Sequence, residues 1–309
     1  MSRVSTTGGY QSALLNLMSA QQQQADASNR ISTQKNATDL TGFGRSSETL
    51  TALKGAESRV QGFLDTGEVV TARLEAQDLA LNQMIDAIGA AREAVGGSLA
   101  SDSNSTLMLD LESQFQSVSN GLNARHQGGY LFAGADTTNA PVSVATLSDL
   151  AAAPSVASTF GNDTITPVSR IAENTSVETG YLANDLGSTI FQIFRDIKAY
   201  NDDPATGPLS GKPTDAQKVF MTAQLSRLDA AKTATIDVAS RNGSLQKRVE
   251  QMTVSHQAQK SSLSDLVTDR TDADLAKAVT DLQLSQVAVQ AAAQVISQLR
   301  DVSLLNYLR

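Results

Sequence analysis

Leu53-Lys54-Gly55-Ala56-Glu57-Ser58-Arg59-Val60 begins a repeat that decides the fold. Leu53, Val60, Gly67, Leu74, Leu81, Ile88 and Val95 follow one another at intervals of seven. Three places after each of the first six come Ala56, Phe63, Val70, Gln77, Met84 and Ala91, so that only Gly67 and Gln77 interrupt two apolar stripes. A seven-residue repeat of this length keeps one seam turned toward a partner helix and predicts a coiled-coil helix over residues 46–95. At 1.5 Å per residue that helix spans roughly 75 Å. A second helix is expected over about 104–127, with Leu107, Leu111, Phe115, Val118 and Leu122 on one face.

The helix breakers are confined to the middle. All six prolines fall between Pro141 and Pro213, and after Gly243 neither Gly nor Pro occurs. Since Pro and Gly punctuate helices, the order is helix, irregular middle, helix. In the middle, Thr164–Ile171 alternates partly like a strand, between turn signals at Gly161-Asn162-Asp163 and Glu173-Asn174. Seven of the 13 aromatic residues lie between Tyr130 and Tyr200, which places a small packed, β-containing domain there. Helix resumes near Ser188, and another long helix is expected from about Thr214 to Asp265. A last one starts near Thr271 with Asp272 and Asp274 at its positive end. The fold class is mainly α: long antiparallel coiled-coil helices from both termini with a small β-containing insertion. The expected division is 1–45 with 266–309 as a terminal coiled coil, 46–135 with 188–265 as a helical bundle, and 136–187 as the inserted β-rich part.

Composition narrows the function. The formal charge is −8, which argues against a nucleic-acid partner, because no basic surface is in excess to release counterions. There is no Cys, hence no disulfide, thiolate ligand or Cys nucleophile. His126 and His256 are the only histidines, each alone on a predicted helix, so no metal site is expected. Gly42-Phe43-Gly44 lacks the third glycine of a dinucleotide loop, and Asn201-Asp202-Asp203-Pro204 reads as turn chemistry. No cofactor and no enzymatic activity are expected. No apolar run reaches the about 18 residues of a membrane span, and the N-terminus lacks a cleavable signal, so export would need another route.

The two ends are the informative segments. Val4–Ala25 and Leu282–Leu299 contain no charged residue. Tyr10, Leu14, Leu17, Gln21 and Gln24 keep a 4-3 spacing, and so do Leu275, Val279, Leu282, Gln286, Val289, Ala293 and Ile296. A helix facing water normally carries charge on its outer side, whereas these carry Gln and Ser, which hydrogen-bond without the desolvation cost of an ion. The expectation is that the ends pair with each other and with identical copies. Leu14, Leu17, Gln21, Gln24, Leu275, Val279, Leu282, Gln286, Val289, Ile296, Leu305 and Tyr307 are the expected assembly residues.

Short motifs add a resemblance. Val302-Ser303-Leu304-Leu305-Asn306-Tyr307-Leu308 is similar to the terminal Leu-Ser-Leu-(Leu/Phe)-Asp-(Tyr/Phe)-Leu pattern of the flagellin superfamily of bacterial axial proteins. Asp272–Val279 resembles the opening of that family's last helix. Thr38–Arg45 sits where the family carries a Ser-Asp-Asp-Pro-type loop, without its Pro. Gly129-Tyr130-Leu131-Phe132-Ala133-Gly134-Ala135-Asp136-Thr137 resembles the Tyr-Leu-Phe-Ala-Gly-Thr signature of the hook–filament junction (L-type hook-associated) branch, and Asn174–Phe191 resembles another stretch of it. The resemblance implies a non-enzymatic structural subunit outside the cell, in the flagellum. It implies a ring or layer of identical subunits, with a companion hook-associated protein and flagellin as neighbours and a cytoplasmic export chaperone beforehand. A flagellin, the bulk filament subunit, is the alternative.

Overall fold

The computed structural model describes residues 3–307, with side chains described for residues 8–300. Seven α-helices follow in chain order: α1 (Arg3–Thr33), α2 (Ser47–Ser101), α3 (Leu107–Leu122), α4 (Leu147–Ala152), α5 (Ala183–Asp202), α6 (Asp215–Thr271) and α7 (Leu275–Tyr307). Two antiparallel hairpins complete the described elements, β1 (Arg125–His126) with β2 (Gly129–Tyr130), and β3 (Val168–Ala172) with β4 (Thr175–Glu178). The chain is mainly α with a small β region, as the heptads predict. It divides into two units, 1–60 with 259–309, and 61–258.

In the first unit α1 and α7 run antiparallel from a clasp. The segment that follows α1 and the one that precedes α7 are stitched together: Asn36 N–H donates to the Thr271 carbonyl at 2.7 Å and Ala273 N–H to the Gln34 carbonyl at 3.0 Å. The Asn36 side-chain amide donates to the Asp272 carbonyl at 2.8 Å, and Lys35 pairs with the Asp272 carboxylate. The last helix begins at Leu275 rather than near Thr271 because Asp274 is its cap, its carboxylate accepting from the N–H groups of Ala276 and Lys277. Asp272 is therefore a clasp residue, not a first-turn acid.

The second unit is built on the heptad stripes. Val60, Gly67, Leu74, Leu81, Ile88 and Val95 are buried, as are Val70, Gln77, Met84 and Ala91. Both interruptions have a physical use. Gln77 donates to the Thr179 carbonyl at 2.9 Å, and a Cβ at Gly67 would stand 3.0 Å from Thr253 Oγ1. Against these stripes lies a cluster of aromatic rings. Phe115 of α3 meets Phe191 and Phe194 of α5 at centroid distances of 5.0 and 5.6 Å, and Phe160 covers Phe191 at 5.0 Å. Helix α5 can bury Leu186, Ile190, Ile193, Phe194 and Ile197 together because they recur at three- and four-residue intervals.

The sequence-based helix over 104–127 ends at Leu122. Gln127 and Gly128 take positive φ, 51° and 86°, and turn the chain into the first hairpin, so His126 lies on a strand rather than a helix. The partial alternation over 164–171 yields a strand only from Val168, since Pro167 precedes it and lacks the donor a ladder needs. Truncating Phe191, which is fully buried between two other rings, removes contacts on both faces. Phe191→Ala should lower stability by about 3–5 kcal/mol, measured by denaturant unfolding of the full chain.

Candidate assembly surface

The seam between α1 and α7 alternates small residues with larger ones. On α1 the covered positions are Ala13, Leu17, Ala20, Gln24, Ala27 and Ile31. On α7 they are Ala278, Leu282, Ser285, Val289, Ala292, Ile296 and Leu299. Both sets keep a 4-3 spacing. Alanine or serine at every seventh place lets two helix axes approach toward the short end of the 8–10 Å range. Ser285 satisfies its own hydroxyl by donating to the Leu282 carbonyl at 2.8 Å. Arg30 and Asp281, 3.3 Å apart and both partly exposed, close the seam near the clasp.

This register shares only one stripe of each expected heptad. Leu17, Gln24, Leu282, Val289 and Ile296 lie half-buried on the seam. Leu14, Gln21, Leu275, Val279 and Gln286 do not; they are exposed. Leu305 and Tyr307 fall outside the residues whose side chains are described. Spacing alone admits either stripe as the partner of Leu282, Val289 and Ile296, and bulk favours Val279. Close packing selects the smaller one, Ala278, Ser285 and Ala292. The signal that finds it in the sequence is the repeat of small residues at 13, 20 and 27.

The displaced residues form outward faces. On α7, Leu275, Val279, Gln286 and Ala293 make one exposed stripe, and Leu284, Val287, Ala291 and Val295 make a second on the other flank of the seam. On α1, Leu14, Leu15 and Met18 are exposed beside the seam, Leu15 at 65%. Single exposed apolar residues are ordinary in soluble proteins. Contiguous stripes on uncharged helices mark contact surfaces.

The segment Gly129–Thr137 has a different character. Leu131, Phe132 and Ala133 are buried in the second unit. The Phe132 carbonyl accepts from Ala183 N–H, at the start of α5, at 2.9 Å, and the Leu131 carbonyl accepts from Arg73 of α2 at 3.3 Å. Gly134 has φ 81°, and a Cβ there would stand 3.0 Å from the Asp163 carbonyl and 3.1 Å from that of Ile165. The motif locks α2, α3 and α5 together and contributes little outward surface.

Among the described residues no group of three or more His, Asp or Glu side chains converges as metal ligands. His256 is buried, stacked 5.4 Å from the Phe63 ring, with Nε2 2.9 Å from the Ile171 carbonyl, which is a packing role. No helix among the described residues is long and apolar enough to cross a membrane.

Residues 225–308, most of α6 and nearly all of α7, match the family described as the bacterial flagellin C-terminal helical region. No curated relative matches the chain in sequence. Two solved structures share its fold. One is a protein of Vibrio parahaemolyticus named, provisionally, as a flagellar hook-associated protein: 16% identity over 75% of this chain and 100% of that one, TM-score 0.61. The other is FlgL of Bacillus cereus: 12% identity over 70% of this chain and 98% of that one, TM-score 0.55.

The seam and its clasp can each be tested. Ala20→Leu should overpack the helix pair and cost about 1–3 kcal/mol, whereas Gln21→Leu, one place away on the exposed face, should leave denaturant unfolding of the full chain unchanged. The Asp272 carboxyl is held below the usual carboxylate value by its hydrogen bond from Lys35 and, more weakly, by Thr271. A depressed native pKa gives stabilisation that is complete above the unfolded value and lost as pH falls through the native one. Amide exchange at residues 34–36 and 271–273 should therefore accelerate, relative to the intrinsic rates, as pH drops below about 4, and Asp272→Asn should remove that acid dependence.

Proposed function

We propose that this chain is a structural subunit of the bacterial flagellum, of the L-type hook-associated kind, forming a short layer between hook and filament. The observation that carries the reading is the division of labour on α7. One small-residue face is spent on α1, and two further uncharged stripes remain for helices of identical copies. The flagellin-type C-terminal region and the junction-type signature at Tyr130–Gly134 support the same reading. On this proposal Leu14, Leu17, Gln21, Gln24, Leu275, Val279, Leu282, Gln286, Val289, Ile296, Leu305 and Tyr307 build the inner layer, some within a subunit and some between subunits. A companion hook-associated protein and flagellin are the neighbours along the axis, and a cytoplasmic chaperone holds the C-terminal helices before export. The proposal assigns no catalysis to the chain.

Deleting the gene should leave intact hooks, no filaments, and flagellin in the medium. Hooks that still carry normal filaments would overturn the junction reading, and loss of filament with no flagellin in the medium would point to the filament subunit instead. Val287→Asp places a charge on an outward stripe. It should leave the helical content of the purified chain unchanged while abolishing complementation of the deletion, because burying an unpaired carboxylate between copies is costly.

A further inference from the structure

The second unit holds two apolar clusters rather than one. The larger surrounds the phenylalanine rings and draws on α2 from Ala80 to Val95, α3, α5 and α6 from Met221 to Ala231. The smaller consists of Val70, Leu74, Ile171, Val177 and Val249, with Leu245 and Met252 half-covered against it, beneath the β3–β4 hairpin. A groove of about 750 Å³ lies between them, lined by Leu186 and Val238 from the larger side and Val177 and Leu245 from the smaller.

Buried polar atoms without a protein partner occur at both ends of the unit: at the hairpin end on Gln61, Arg73, Gln77, Tyr181, Asn242 and His256, and elsewhere on Asn104, Ser119 and His126. Gln77 and Asn242 are fully buried; each donates one hydrogen bond, to the Thr179 and Leu74 carbonyls, and each leaves its amide oxygen without a donor. Gln61 Oε1, Arg73 Nε and His256 Nδ1 share that condition. Every such group subtracts from the stability of the part that buries it. A cluster of five apolar side chains has little to set against them, whereas the phenylalanine cluster has much.

We propose that the hairpin end of this unit, residues 61–77, 166–181 and 242–256, opens as a cooperative part of its own ahead of the phenylalanine cluster, and so gives the chain a fixed starting point for unfolding. The groove marks the joint. Gln77 and Asn242 hold that end in register through single directional bonds, and His256 ties the hairpin to α6 through the Ile171 carbonyl. The inference is independent of the flagellar assignment, since it rests on clusters within one unit of one chain.

Amide exchange followed by mass spectrometry on the full chain tests it. Helix α6 passes through both clusters, so the comparison is internal to one helix. Residues 242–256 and 168–178 should exchange together, at least about tenfold faster than 221–231 and 111–118. Val177→Ala should speed the first group by about tenfold and leave the second unchanged, and Asn242→Leu should slow the first group alone. A single common rate for both groups would overturn the proposal. So would a Val177→Ala effect of equal size on both. If Val177→Ala unfolds the whole unit, Met252→Ala, a milder truncation in the same cluster, decides: equal acceleration of both groups refutes the inference, and acceleration confined to the hairpin end supports it.

Discussion

The close approach of α1 and α7 over Ala13, Ala20, Ala27, Ala278, Ser285 and Ala292 is the constraint on which the first unit depends. Two such helices bury little area from each other, since alanine has only a methyl group to give. Their pairing is supported at the clasp, where backbone bonds between residues 34–36 and 271–273 fix both reversals and Arg30 faces Asp281. What the seam lacks in area it returns in free surface: Leu14, Leu15 and Met18 on α1 and Val279, Leu284, Val287 and Val295 on α7 stay exposed. A seam of leucines would have made a more stable pair and left less to join copies together.

The second unit is stabilised in the opposite way. Large rings and branched aliphatic side chains from α2, α3, α5 and α6 interlock, and the Tyr130–Gly134 segment is drawn into that packing. That segment is thus a feature of the interior. Gly134 is required by a positive φ and by the carbonyls of Asp163 and Ile165. A buried segment of this kind says nothing about which face meets a neighbour.

Much of the architecture was legible because it is periodic. The stripes at Leu74, Leu81 and Ile88 and at Val70 and Met84 are buried as their spacing requires. Proline placement correctly confined the irregular part to the middle. Three things were not legible. The register of the terminal seam was ambiguous because Val279 and Ala278 belong to equally regular stripes, and only the closeness of the two backbones chooses between them. The hairpin after α3 depends on positive φ at Gln127, which is not a glycine and gives no warning. The β-region shrank to a short hairpin because Thr164–Pro167 has the composition of a strand but no donor pattern to extend one. Of the assembly surface, the absence of charge was visible at once, whereas the split into seam and outward stripes needed the structure.

The uncharged seam has one more consequence. From Ala13 to Gln24 on α1, and from Leu282 to Leu299 on α7, there is no ion for dissolved salt to screen and no group that titrates in the ordinary range. Ionic screening therefore leaves these stretches of the helix pair untouched. Sensitivity to the medium is left to the clasp at its far end, where Lys35, Asp272, Arg30 and Asp281 are the charges that respond.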